Sequence, residues 1–178
     1  MFFKPFIIAE IGLNHNGRLD IAQKCIIQAA KAGVDAVKFQ NFKTEDFIND
    51  KKITHEYKYK KKLIKKSLFQ ICKEAEYKES WTNSLIKLSK KKGLYFISTP
   101  TSEAGIDHLK KFNIKFIKNG SDYLTHIELI KYMAQKNFQI ILSTGMGNEV
   151  DIYTAIQIIK KYSRKKPIIL HCVSQYPA

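Results

Sequence analysis

The sequence predicts an α/β fold: a parallel (β/α)8-type barrel, incomplete, with about six of the eight βα units present. Two observations carry this. Short apolar runs that end in polar, chemically capable residues recur at positions 7–10, 36–40, 95–99, 116–121, 139–144 and 167–172, with segments of helical spacing between them. Several of these runs, Gln139 to Leu142 for example, are apolar at consecutive positions, as strands buried on both faces of a parallel sheet are. If every run is a parallel strand, the side chains at their ends gather at one rim, where β/α barrels build their sites. An open doubly wound sheet is the competing architecture. It would concentrate function at one switch point and, for a dinucleotide, carry a GxGxxG turn after the first strand; the turn here reads Gly12-Leu-Asn-His-Asn-Gly17 and has no phosphate-loop Lys.

Residues 6–11 are rich in β-formers, 12–17 form a polar turn, and 20–32 have helical spacing with Ile21, Cys25, Ile26, Ala29 and Ala32 on one face. Asp20 suits an N-cap and Gly33 the position just past the helix. Residues 34–40 return as a strand, completing a βαβ unit. The stretch 41–92 is longer and less regular, with helices expected at 67–75 and 80–92, the second packing Trp81, Leu85, Ile86 and Leu88 on the sheet before Gly93 ends it. The third strand, 95–99, stops at Pro100, which has no N–H for a ladder. A helix at 102–112 turns Ile106, Leu109 and Phe112 inward; then come a strand at 114–120, a helix at 127–135, a strand at 139–144, a helix at 149–162 and a sixth strand at 167–172.

Length and composition fit one domain with a substantial core: 178 residues, of which 44% are apolar, too many for wholesale disorder. No stretch reaches the ~18 apolar residues of a membrane span, and the N-terminus has no signal-like apolar region. Cys25, Cys72 and Cys172 are odd in number and widely spaced, which argues against a disulfide framework and for a reducing, cytoplasmic setting. The net charge of +15 raises nucleic acid or an acidic substrate as partners. Only Arg18 and Arg164 are Arg among the 31 basic residues, and Arg supplies most bidentate base and phosphate contacts, so no nucleic-acid partner is expected. The Lys cluster at 51–66 reads as solvated surface.

Lys38 and Lys118 each end an apolar run, and Lys is rarely buried without a partner. Both snorkel to the rim, bind a phosphate or carboxylate, or form a Schiff base; two lysines converging on one rim favour an anionic substrate. Glu10, inside a strand, is either paired with Lys38 on the next strand or handles protons. Thr99, Ser121, Ser143 and Thr144 are hydroxyls suited to phosphate oxygens, and Gly145 lets backbone amides approach an anion. Among the five histidines no HxH or HxxxH pair exists; His171 and its neighbour Cys172 read as core.

Five motifs stand in order at these strand ends: Ile-Ala-Glu-Ile-Gly-Leu-Asn-His-Asn-Gly (8–17), Ala-Val-Lys-Phe-Gln (36–40), Ile-Ser-Thr-Pro (97–100), Leu-Ser-Thr-Gly-Met (142–146) and Leu-His-Cys-Val-Ser-Gln-Tyr-Pro (170–177). Together they resemble the N-acetylneuraminate (sialic acid) synthase family, with its legionaminate, pseudaminate and spore-coat polysaccharide relatives, over essentially the whole chain. The resemblance implies a TIM-type barrel followed by a small antifreeze-like domain. It implies condensation of phosphoenolpyruvate with an N-acylated amino sugar such as N-acetylmannosamine, giving a nine-carbon 2-keto sugar acid and phosphate. A divalent metal, Mn2+ or Mg2+, is implied as activator of the sugar aldehyde. Carried over by motif, Lys38, Thr99, Lys118, Ser121 and Ser143 would bind phosphoenolpyruvate, while Glu10, Gln40, Ser174 and Tyr176 would face the sugar, Glu10 handling protons. Thr101 stands where the family often has Phe, Tyr123 where an acidic residue is frequent (Asp122 adjoins it), and Ser174 where sialic acid synthases often carry Asn; these departures bear on which sugar is used.

The resemblance also implies that strands seven and eight, the metal-ligating histidines and the C-terminal domain of the homodimer lie beyond residue 178. On this reading residues 1–178 are the N-terminal three-quarters of a synthase barrel, with apolar edges inviting self-association. The expectation is a fragment with little synthase activity alone. The alternatives are a non-catalytic half-barrel completed by another chain and a Schiff-base pyruvate aldolase using Lys38 or Lys118.

Overall fold

A computed structural model describes residues 4–175. Six strands form one parallel sheet in chain order: β1 (Ile8–Gly12), β2 (Ala36–Asn41), β5 (Tyr95–Pro100), β6 (Phe116–Asn119), β7 (Gln139–Ser143) and β8 (Ile168–Leu170). Each hydrogen-bonds only its sequence neighbours within the sheet, with Glu10 beside Lys38, Gln40 beside Thr99 and Ile117 beside Ile140. The sheet curls as the expected incomplete barrel does, and β1 and β8 are its edges. Ile168 and Ile169 on β8 are 41% and 46% exposed, so the apolar edge anticipated from the sequence is present.

Helices α1 (Leu19–Lys31), α3 (Thr82–Lys91), α4 (Glu103–Lys110), α5 (Ile127–Gln135) and α6 (Glu149–Tyr162) supply the outer layer. One face of the sheet (Val37, Phe39, Phe96, Ile117, Ile140, Leu142) packs against Ala22 and Ile26 of α1, Leu85 of α3, Ile106 of α4, Ile130 of α5 and Ile159 of α6. Each fully buried Ile, Leu or Phe there contributes roughly 1.5–3 kcal/mol of transfer free energy, which makes this layer the main source of stability. The opposite face buries a second, smaller cluster: Ala36, Ile97, Phe116 and Ile141. Beneath it, the rings of Phe6, Tyr95 and Phe116 meet with centroids 5.4–6.0 Å apart and floor the barrel interior. Successive strand residues alternate between these two faces, which is why runs apolar at every position read as buried strands.

Three local expectations change. The helix at 20–32 starts one residue earlier: Arg18 is the N-cap without a side-chain cap, and Asp20 sits inside the first turn, bonded to Arg18 at 2.9 Å. A carboxylate in the first turn still favours the helix through the macrodipole. Helix α6 begins on a full capping box that the sequence reading passed over, Asn148 accepting from the Val150 and Asp151 amides while Asp151 accepts from the Asn148 amide. Pro100, read as a strand stop, is the last residue of β5, opposite Asn41.

The irregular stretch after β2 folds into a 3-10 turn at Thr44–Asp46 and an antiparallel hairpin, β3 (Thr54–Tyr59) and β4 (Lys62–Ser67), before α2 (Leu68–Glu74). Its two-residue turn, Lys60-Lys61, has φ of +45° and +66°, the left-handed pair of a type I′ hairpin turn. The Lys-rich segment is solvated surface, as read, but it is ordered as a β-ribbon.

Candidate functional site

Above the apolar layer on the inner face comes a polar one. Two residues further along each strand from Ala36, Ile97, Phe116 and Ile141 stand Lys38, Thr99, Lys118 and Ser143, all facing the same interior because the side-chain period of a strand is two. Glu10 of β1 and Cys172, just past β8, extend the ring, and the residues that follow the strands wall it. The result is a cavity of about 550 Å³ at the C-terminal end of the sheet.

Glu10 and Lys38 are the closest charged contact in it: Lys38 Nζ lies 2.7 Å from Glu10 Oε2 and donates to Thr99 Oγ1 at 3.0 Å. The pairing follows from register, since Glu10 and Lys38 are ladder neighbours. Immediately after Glu10 the ladder slips, Gly12 rather than Ile11 pairing with Phe39. Gly12 adopts φ +51°, and a Cβ there would sit 2.9 Å from Glu10 Oε1, so the bulge that turns the chain away also needs a residue without a side chain. Lys38 is 3% exposed whereas half of the Glu10 side chain meets solvent. Burial therefore holds the Lys38 ammonium below its ordinary range; Glu10 pulls the other way and Lys118 adds to the lowering.

Lys118 is also pushed down by burial, opposed by Glu10, Cys172 and Asp122, and among the described residues it makes no hydrogen bond or ion pair. Around it stand Ser121, Ser143 and the amide of Gly145, which donates to Ser121 Oγ at 3.1 Å. Ser143 is 1% exposed and its hydroxyl has no hydrogen-bond partner. A Cβ on Gly145 would lie 2.5 Å from Ser174 Oγ and 2.9 Å from Ser121 Oγ; the glycine lets these two hydroxyls close over the backbone. An ammonium and a hydroxyl unpaired among the described residues, with a second buried ammonium lining the same cavity, are chemically suited to a small anion.

Of the residues expected from sequence, Glu10, Lys38, Gln40, Thr99, Lys118, Ser121, Ser143 and Ser174 all line this cavity, and Tyr176 lies outside the described residues. Thr144 does not join them: its hydroxyl donates to the Leu170 carbonyl at 2.8 Å, strapping β7 to β8. Cys172, read as core, lines the cavity half-buried, and His171, also read as core, is exposed. The reason is the short β8, which ends at Leu170 and lets the chain turn across the rim. Leu13, Phe42, Phe47, Cys72, Thr101, Asp122, Tyr123 and Met146 complete the wall. Leu13, Phe42, Phe47, Cys72 and Met146 carried no chemical signal in the sequence, being ordinary apolar loop and helix positions.

His15 has a structural place. It is fully buried against Phe39, Tyr77 and Trp81, with Nδ1 accepting from the Gly17 amide at 3.1 Å, and burial lowers its pKa so that it is neutral. Among the described residues no three His, Cys, Asp or Glu side chains converge as a metal site. The described residues do not by themselves fit a divalent ion.

Comparison with known proteins places this geometry. A family model described as the NeuB family matches residues 25–178. The N,N'-diacetyllegionaminic acid synthase of Campylobacter jejuni is 38% identical over 98% of this chain and 53% of its own. The crystal structure of the N-acetylneuraminic acid (sialic acid) synthetase of Leptospira borgpetersenii in complex with citrate superposes with a TM-score of 0.85 at 33% identity, over 97% of this chain and 55% of that one. A truncated 3-deoxy-D-arabino-heptulosonate 7-phosphate synthase from Thermotoga maritima shares the fold, with a TM-score of 0.65 at 12% identity over 97% of this chain and 53% of that one. The chain spans about half the length of the curated relatives it matches.

Proposed function

This chain belongs to the NeuB family, and on that premise we propose that its cavity takes part in condensing phosphoenolpyruvate with an N-acylated amino sugar to a nine-carbon 2-keto sugar acid and phosphate. The observation that carries the reading is the Lys118 ammonium, partnerless among the described residues, in one cavity with the Lys38–Glu10 pair and the unsatisfied Ser143 hydroxyl. Phosphoenolpyruvate carries a carboxylate and a phosphate, and the cavity offers two cations and three hydroxyls, Thr99, Ser121 and Ser143, to receive them. Gln40 and Ser174 line the same cavity, and this reading sets the amino sugar against them. Its aldehyde carbon is attacked by the enol carbon; water then adds to the resulting cation and phosphate departs. Glu10, held 2.7 Å from Lys38 yet half in solvent, is the carboxylate positioned to accept and return the proton of that water.

The test is nuclear magnetic resonance titration of the purified chain. Phosphoenolpyruvate is expected to shift the amides of Lys38, Lys118, Ser143 and Gly145 saturably, and the subsequent addition of N-acetylmannosamine to shift Gln40 and Ser174. Removing a charged hydrogen-bond donor costs ~1.5–3 kcal/mol, so Lys118→Gln should weaken phosphoenolpyruvate about tenfold or more. Affinity unaffected by Lys118→Gln, or sugar shifts outside the cavity, overturns the proposal. Borohydride treatment with pyruvate should leave no adduct; one on Lys38 or Lys118 would establish Schiff-base chemistry instead.

A further inference from the structure

Cys172 is a nucleophile in the cavity that the proposed condensation does not use. Its sulfur lines the same cavity as the Lys118 ammonium and the Ser143 hydroxyl. That hydroxyl, 1% exposed and without a partner, lines the same cavity, so the space next to the sulfur is built to receive a polar group. Two independent features therefore converge: a nucleophile, and donors with nothing to hold.

We propose that Cys172 is a covalent-modification site for small electrophiles that carry a carboxylate, Lys118 and Ser143 holding the anion while the sulfur attacks the electrophilic carbon. With an α-halo carboxylate the sulfur lone pair forms the S–C bond, the C–halogen bond breaks, halide leaves, and the thiol proton has already gone to solvent. The product places a carboxymethyl group in the cavity and adds a negative charge beside Lys118, which closes the site to other anions. The charged groups facing the sulfur act in the required direction. Burial alone would push the thiol pKa up, but the polar surroundings and the Lys118 charge outweigh it and hold the thiol below its ordinary value. Glu10 and Asp122, the acidic side chains in the cavity wall, lie closer in influence to the lysines. The other two thiols differ. Cys72 lines the cavity but is buried, with its pKa pushed up by burial and by Glu76, and Cys25 packs on α1 against the main core.

The experiment compares iodoacetate with iodoacetamide on the native chain, with mass-spectrometric mapping of each cysteine and N-acetylcysteine as reference thiol. Cys172 is expected to react first with iodoacetate, about tenfold ahead of Cys25 and Cys72. Its iodoacetate-to-iodoacetamide rate ratio should exceed the N-acetylcysteine ratio about fivefold, since a cation lining the same cavity favours the charged reagent. The ratio is independent of how much thiolate is present, so it isolates anion guidance from simple reactivity. It should fall in Lys118→Gln and, in the unmutated protein, in salt of about 1 M, where the Debye length shrinks to ~3 Å. A Cys172 ratio equal to that of N-acetylcysteine, or a Cys172 no faster than Cys25, overturns the proposal, whether or not the variant folds.

Discussion

Replacing Lys38 with Met separates what this residue does for an anion from what it does for the fold. The ammonium is 3% exposed, ion-paired to Glu10 at 2.7 Å and hydrogen-bonded to Thr99 at 3.0 Å. Because the Glu10 side chain is half in water, the ion pair is screened and contributes at most ~1 kcal/mol. The charged hydrogen bond to Thr99 contributes ~1.5–3 kcal/mol. Against both stands desolvation of the ammonium, several kcal/mol in a buried site. The titration shift says which side wins: Lys38 is lowered by burial despite Glu10, so its charged form is less favourable in the folded chain than in the unfolded one. Met preserves length and removes the charge, leaving Thr99 without its donor at a cost of ~1 kcal/mol and Glu10 free to hydrate. The expected result is stability unchanged to within ~1 kcal/mol, or raised, which for a domain of this size is a Tm change of about 2–4 °C. Phosphoenolpyruvate affinity should meanwhile fall about tenfold or more, from loss of a charged donor. The pH dependence adds a sign. The penalty of burying the ammonium is fully present below its depressed folded pKa and is relieved as pH rises toward the ordinary 10.5, so the natural protein should gain stability relative to the variant on going alkaline. Urea unfolding of both proteins and calorimetric titration measure these quantities. A loss above ~2 kcal/mol would make Lys38 a structural residue and refute the reasoning, as would undiminished affinity.

Gly145→Ala should push Ser121 and Ser174 away from hydroxyl positions that a Cβ would overlap at 2.9 and 2.5 Å, costing ~1–3 kcal/mol by overpacking and weakening phosphate binding; urea melts and titration read both, and an unaffected affinity refutes the cradle. His15 is lowered by burial, so the unfolded chain takes up its proton first and stability should fall as pH drops below 6.5, by up to ~1.4 kcal/mol per pH unit; urea midpoints at descending pH measure the slope, which His15→Gln should flatten. Asn148→Ala removes the cap of α6 and should cost ~1 kcal/mol in thermal or urea unfolding, with anion binding retained.

Much of the architecture was legible because parallel strands buried on both faces leave runs such as Gln139–Ser143 that no helix period explains. The hairpin β3–β4 was not, since its exposed, Lys-rich ribbon has no apolar face and its turn uses Lys60-Lys61 where Asn-Gly would have announced it. In the site, eight of the nine expected residues share one cavity, because strand-end position places them and strand-end position is readable. Cys172 and Thr144 were misjudged for the opposite reason: their roles depend on where the chain turns after Leu170, a distance no periodicity encodes.

By itself, then, the order of residues determined which side chains stand at the strand ends and on which face, since register and a period of two follow from covalent geometry and apolar burial. Only the tertiary structure decided how they pair. Curling the sheet sets Lys38 against Glu10 and Thr99, leaves Lys118 without a partner among the described residues, strands the Ser143 hydroxyl in a buried niche and swings Cys172 into the same space. Those relations depend on desolvation and on distances across strands far apart in sequence, and both exist only once the sheet has curled around the cavity.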